Sequence, residues 1–152
     1  VPTYLTKTVP EFIQKKFNAK TTPGSIAIAG LSEGGLCATM LALRHPKEYP
    51  AFANFSGDAS PTYQYVDKQQ TIQVLFGGST ADYNAHNPPY LLTQQHFAGM
   101  AGWFEAGAQD SGSVQAAQTL QGLASKAGID TCITTPPGAQ IPSPAQRRCL
   151  ER

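Results

Sequence analysis

The chain has 152 residues, enough for one domain with one core, with 14% charged residues and a formal net charge of +1. No Lys/Arg cluster marks a nucleic-acid footprint, so no nucleic-acid partner is expected. A hydrophobic share of 41% argues against a disordered chain, and the longest nearly apolar run, Leu36 to Leu43, is too short to span a bilayer. Val1-Pro2 leads into an amphipathic segment rather than a signal peptide, and the missing initiator Met suggests an excised or processed piece.

Val9, Phe12, Ile13 and Phe17 recur at helical spacing with lysines between them, which predicts an amphipathic helix. Ser25 to Leu31 is short, apolar and bounded by Pro-Gly and Gly, as a buried strand would be. Glu33 to Arg44 carries Leu36, Met40 and Leu43 on one face with Cys37 and Leu41 beside it; so wide an apolar surface predicts a buried helix, stopped by Pro46. Ala51 to Phe55 is a second strand. Asp58 to Gly99 is irregular, with one or two helices, the best at Tyr90 to Phe97; Thr71 to Phe76 reads equally as strand or helix. Ala101 to Ala106 is a third strand, and Gln109 to Gly112 a turn. Ser113 is a candidate N-cap for a helix bearing Ala116, Leu120, Leu123 and Ala127 and ending at Gly128. Thr131 to Thr135 is a fourth strand. The alternation predicts an α/β fold with about four parallel strands flanked by helices, one domain over residues 1–152.

Three cysteines, Cys37, Cys132 and Cys149, make no disulfide framework; Cys132 and Cys149 are free to pair or not on sequence grounds. Cys37 reads as a small core residue rather than a reactive thiol. No His, Asp or Glu set has metal-ligand spacing, and no glycine-rich phosphate motif is present, so neither metal nor cofactor is expected.

The chemistry is concentrated in Gly30-Leu31-Ser32-Glu33-Gly34-Gly35, a Gly-x-Ser-x-Gly between a predicted strand and a predicted helix. In that setting the pattern is a nucleophile elbow. A sharp turn lifts the Ser32 hydroxyl above the strand end, the helix N-terminus lies beneath it, and the Glu33 N–H becomes a candidate oxyanion donor. The plain alternative is a tight turn that uses glycine for packing. Gly107-Ala108-Gln109-Asp110, after the third strand, puts a carboxylate on the same rim, either to orient a histidine or to cap the next helix.

Residues Ile26 to Pro61, with "FGGSTADYNAHNP", "WFEAGAQDSG" and "GIDTCITTPPG", resemble the esterase D / antigen 85-like family of the α/β-hydrolases, closest to its actinobacterial members. The likeness runs from about Tyr4 to Gly138 and implies the C-terminal half of an α/β-hydrolase fold. It implies a serine esterase, acyl hydrolase or acyltransferase acting on a small-molecule or lipid acyl ester. Ser32 would be the nucleophile, Asp110 the acid and Glu33 N–H an oxyanion donor. It also implies an extracytoplasmic, secreted or envelope location and a membrane-attached parent.

Two departures stand against the resemblance. The family's histidine belongs in a Pro-Gly-Gly-His-like loop after the last strand, where this chain reads Pro136-Pro137-Gly138-Ala139-Gln140, with Gln140 in its place. A glutamine cannot take the serine proton, and residues 136–152 form an atypical tail. His45, His86 and His96 are weak substitutes. The strands that normally precede the elbow strand are also absent, so that strand should be an edge, prone to self-association. The alternative function is a non-catalytic hydrolase-fold module used in binding or assembly.

Overall fold

The computed structural model describes residues 3–64 and 66–136. Four strands, β1 (Ala27–Leu31), β2 (Ala51–Phe55), β3 (Ala101–Glu105) and β4 (Asp130–Thr134), form one parallel sheet in the order β1-β2-β3-β4. The helices are α1 (Val9–Phe17), α2 (Glu33–Arg44), α3 (Lys68–Phe76), α4 (Thr80–Ala85), α5 (Pro88–Gln94) and α6 (Ser111–Lys126). A wider, π-type turn at Tyr4–Thr8 leads into α1.

Helix α2 packs on β1 and β2, α6 on β3 and β4, and α5 against both helices. The core lies between these helices and one face of the sheet. There Phe52 and Phe104 meet edge to face at 5.5 Å, enclosed by Leu43, Leu91, Leu120 and Ala124. Phe104, Leu120, Ala42 and Ala124 are fully buried, which is the usual fate of the inward face of a strand and the apolar stripe of its covering helices.

The predicted buried character of the first strand is corrected. In β1, Ala27, Ala29 and Leu31 are exposed, Leu31 at 70%, while Ile28 and Gly30 are half-buried. An all-apolar run reads as a strand covered on both faces. Among the described residues β1 is an edge paired with β2 alone, and α2 covers one face of it.

The Asp58–Gly99 excursion holds three helices rather than one or two. Thr71 to Phe76 is the end of α3, which Asp67 caps by accepting from the Gln70 N–H at 2.9 Å. The helix placed at Tyr90 to Phe97 runs Pro88–Gln94 instead, because proline is readily accepted at a helix start. Aromatic residues of the excursion are divided: Tyr83 and Phe97 are buried, Tyr90 is exposed, and Tyr65 lies outside the described residues. No helix among the described residues is long and apolar enough to cross a membrane.

Candidate active site

Because every strand runs the same way, their carboxyl ends share one rim. Ser32 follows β1, Ser56-Gly57 follows β2, and the Gly107–Asp110 turn follows β3.

Ser32 is exposed and has φ 55° and ψ −124°, a conformation that side chains other than glycine rarely adopt. Such a backbone costs about 1–3 kcal/mol and persists only when its surroundings fix it. Here the surroundings are hydrogen bonds. The Ser32 N–H donates to the Phe55 carbonyl at 2.8 Å, and the Ser32 carbonyl accepts from Gly35 N–H at 2.8 Å and Leu36 N–H at 3.2 Å. Strand β2 therefore grips the serine from one side and the first turn of α2 from the other. Glu33 is the first residue of α2, a position where the helix offers its N–H no acceptor.

The glycines differ in purpose. A Cβ on Gly30 would fall on the Gly34 carbonyl group, and one on Gly35 would come within 2.6 Å of Asn54 Oδ1. Gly34 faces open space. A steric demand for glycine beside the serine thus holds at Gly30 and not at Gly34.

Asp110 lies on the same rim as Ser32, two strands away, about 10 Å in strand spacings. Its carboxylate is engaged locally. Oδ2 accepts from the Ser113 hydroxyl at 2.7 Å and Oδ1 from the Ser113 N–H at 3.1 Å. The Ser113 hydroxyl first, and then the Ser113 N–H, hold this carboxyl below the usual aspartate range; desolvation opposes them, and the Gly112 N–H adds the least. Asp110, not Ser113, is therefore the N-cap of α6; Ser113 is the residue whose N–H is capped.

The histidines separate clearly. His45 caps the far end of the 12-residue α2, about 18 Å from the elbow, with a buried Nε2 that has no partner. His96 packs its ring over Gly128, at the amino-terminal rim of the sheet. His86 donates from Nδ1 to the Asp82 carbonyl at 2.7 Å and leans on Phe76. Gln140 and Cys149 lie outside the described residues. Cys37 is a free thiol whose pKa is raised, first by burial and then by the charge of Glu33. Cys132 is disulfide-bonded. Among the described residues, no three His, Cys, Asp or Glu could hold a metal ion.

Sequence reasoning missed a buried set beneath the serine. Asn54 on β2 is 3% exposed; its Nδ2 donates to Thr39 Oγ1 at 3.1 Å and its Oδ1 accepts from Gly57 N–H at 2.8 Å. The signal was present as a single amide in "AFANF", two residues from Phe52 and so on the core face. It also missed Glu105, which closes β3 and accepts from Thr134 Oγ1 at 2.9 Å and Trp103 Nε1 at 3.3 Å.

Residues 1–134 match the family described as "Putative esterase". The chain belongs to this esterase family. It is 38% identical over 144 residues to an uncharacterised protein of Corynebacterium glutamicum, covering 91% of this chain and 33% of that protein. In fold it is similar to an S-formylglutathione hydrolase from Agrobacterium tumefaciens, with TM-score 0.68 and 19% identity over 88% of this chain and 47% of that one. It is also similar to MPT51 of Mycobacterium tuberculosis, with TM-score 0.55 and 21% identity over 89% and 59% of the two chains. These likenesses establish the α/β-hydrolase fold. The esterase-family chain thus spans about a third of its curated relative and about half of each hydrolase-fold structure.

Proposed function

We propose that the protein is a serine-dependent acyl-ester hydrolase or acyltransferase in which Ser32 is the nucleophile. The observation that carries this reading is the backbone of Ser32, at φ 55° between β1 and α2, which presents the hydroxyl to solvent at the carboxyl rim. In the reaction, Ser32 Oγ attacks the ester carbonyl and its proton passes to a base. The oxygen that becomes negative is steadied by the Glu33 N–H and the positive end of α2. The tetrahedral intermediate collapses, the alcohol leaves with a proton, and water or an acceptor alcohol then releases the acyl group from Ser32.

Asp110 is the acid in this reading. A histidine between it and Ser32 would bridge the two strand spacings, taking the serine proton on one nitrogen and donating to the carboxylate from the other. For that, Asp110 must turn one oxygen away from Ser113. The substrate is a small-molecule or lipid acyl ester, and the parent protein an exported or membrane-attached one, as the family resemblance implies.

A second reading is favoured by Gln140, which stands where the family's base belongs, and by an Asp110 that already serves as a helix cap. On that reading the chain is a non-catalytic hydrolase-fold module for binding or assembly. Labelling with a fluorophosphonate, and turnover of a p-nitrophenyl ester, separate the two. The catalytic reading expects labelling and turnover that vanish in Ser32→Ala. Equal labelling of both proteins removes Ser32 from the mechanism, and an unlabelled, folded protein supports the module.

A further inference from the structure

A raised serine needs something to hold it there, and the rim hydrogen bonds of Ser32 are themselves supported from below. Thr39, fully buried in the second turn of α2, donates its hydroxyl to the Gly35 carbonyl at 3.0 Å. The same hydroxyl accepts from Asn54 Nδ2, and Asn54 Oδ1 accepts from the Gly57 N–H. The bonds run in one direction, from the amide through the hydroxyl to the helix backbone, so each strengthens the next. They tie three separate pieces of chain together: the strand β2, the loop that leaves it, and the first turn of α2.

The pieces they tie are those that touch the serine. Gly35 N–H is one of the two donors to the Ser32 carbonyl. Gly57 lies so close that a Cβ on it would stand 2.9 Å from that same carbonyl, 2.7 Å from Leu36 N and 2.5 Å from Asn54 Oδ1. An amide in an otherwise apolar strand interior is costly unless every polar atom is bonded, and here both ends of the Asn54 side chain are. A leucine would fill the space without that requirement.

We propose that Asn54, acting through Thr39, is the positioning residue that keeps Ser32 in its raised conformation. The proposal rests on the reading of Ser32 as the nucleophile for its catalytic consequence. Its structural content, a clamp between the β2 exit loop and the elbow, is independent of that reading.

The test compares Thr39→Val, which keeps the shape and removes the hydroxyl, with Thr39→Ser, which keeps the hydroxyl. Asn54→Leu serves as the stronger variant. Amide hydrogen exchange and ester turnover are measured on each, with wild type and Ser32→Ala. In Thr39→Val, exchange should quicken at Ser32, Gly35, Leu36 and Gly57 while Phe104 and Leu120 keep their protection; kcat should fall about tenfold or more with KM within about twofold, since small misplacements of a reacting group are that costly. Thr39→Ser should restore both. Elbow amides that exchange alike in Thr39→Val and wild type overturn the clamp, as does a uniform acceleration throughout the protein. A local exchange effect with undiminished Ser32-dependent turnover overturns the positioning role. If wild type has no Ser32-dependent reactivity yet the local exchange effect appears, the clamp stands and the hydrolase reading fails.

Discussion

A methyl group on Gly30 would occupy the space of the Gly34 carbonyl, whereas Gly34 itself has no neighbour within 4 Å of where its own Cβ would lie. Two glycines of one motif therefore carry opposite expectations. Gly30→Ala forces the strand away from the helix and should destabilise the protein by about 3 kcal/mol or more. Gly34→Ala replaces a flexible residue in the first turn of α2 and should be neutral, or stabilising by up to about 1 kcal/mol. Urea unfolding of both variants checks the pair, and a Gly30→Ala protein as stable as wild type would show that the elbow can open.

The elbow itself was legible because a sharp strand-to-helix turn leaves a local mark, glycine on either side of serine. The four strands and their parallel direction were legible from alternation, while their order in the sheet was not among the expectations. What the local pattern could not supply was which side of the chain is covered. "AIAGL" reads as a strand buried on both faces, yet Ala29 and Leu31 look outward, because coverage depends on partners distant in sequence. The Asn54–Thr39 pair was hidden for the same reason: fifteen residues separate the two, and only the packing of α2 on β2 brings them together. At Asp110 both readings open to the sequence concerned a carboxylate on the rim, and the cap to α6 is the one its hydrogen bonds realise.

That cap makes a pH prediction with a definite sign. The folded pKa of Asp110 is lowered, chiefly by the Ser113 hydroxyl. Its stabilising contribution is therefore fully present above the unfolded carboxylate value, about 3.9, and is lost as pH falls through the lower folded value. Asp110→Asn should lower Tm near neutral pH, and its deficit against wild type should close below about pH 4. Ser113→Ala should move the Asp110 carboxyl titration, followed by carbon NMR, upward toward the ordinary range. An unmoved titration would show that the Ser113 hydroxyl is not the main cause.

Cys37 sits one helical turn beyond Glu33, so the two side chains share a face of α2. Burial first, and the Glu33 charge second, raise its thiol pKa. At pH 7 less thiolate is present than in a free cysteine, and alkylation of Cys37 by iodoacetamide, read by peptide mass spectrometry, should be slower than that of a model thiol. Glu33→Gln should quicken it modestly, leaving burial to account for most of the protection. A rate equal to that of the model thiol would mean that the residue is open to solvent.

The free edge of β1 makes the last prediction. Among the described residues β1 pairs with β2 alone, so its other edge runs beside the exposed Ala27, Ala29 and Leu31 side chains. Nearby in the chain, α1 buries none of its residues and leaves Phe12 and Phe17 59% and 68% exposed. Natural sheets protect such edges with charge, proline or a covering element, and an apolar edge without them is a template for another strand. The self-association expected from the sequence should appear as an elution volume that falls as concentration rises. Ala27→Lys puts a charge on the edge away from Ser32; it should shift the protein toward monomer without altering any Ser32-dependent labelling. A wild-type protein that elutes as a monomer at millimolar concentration would show that the edge does not pair with a second copy.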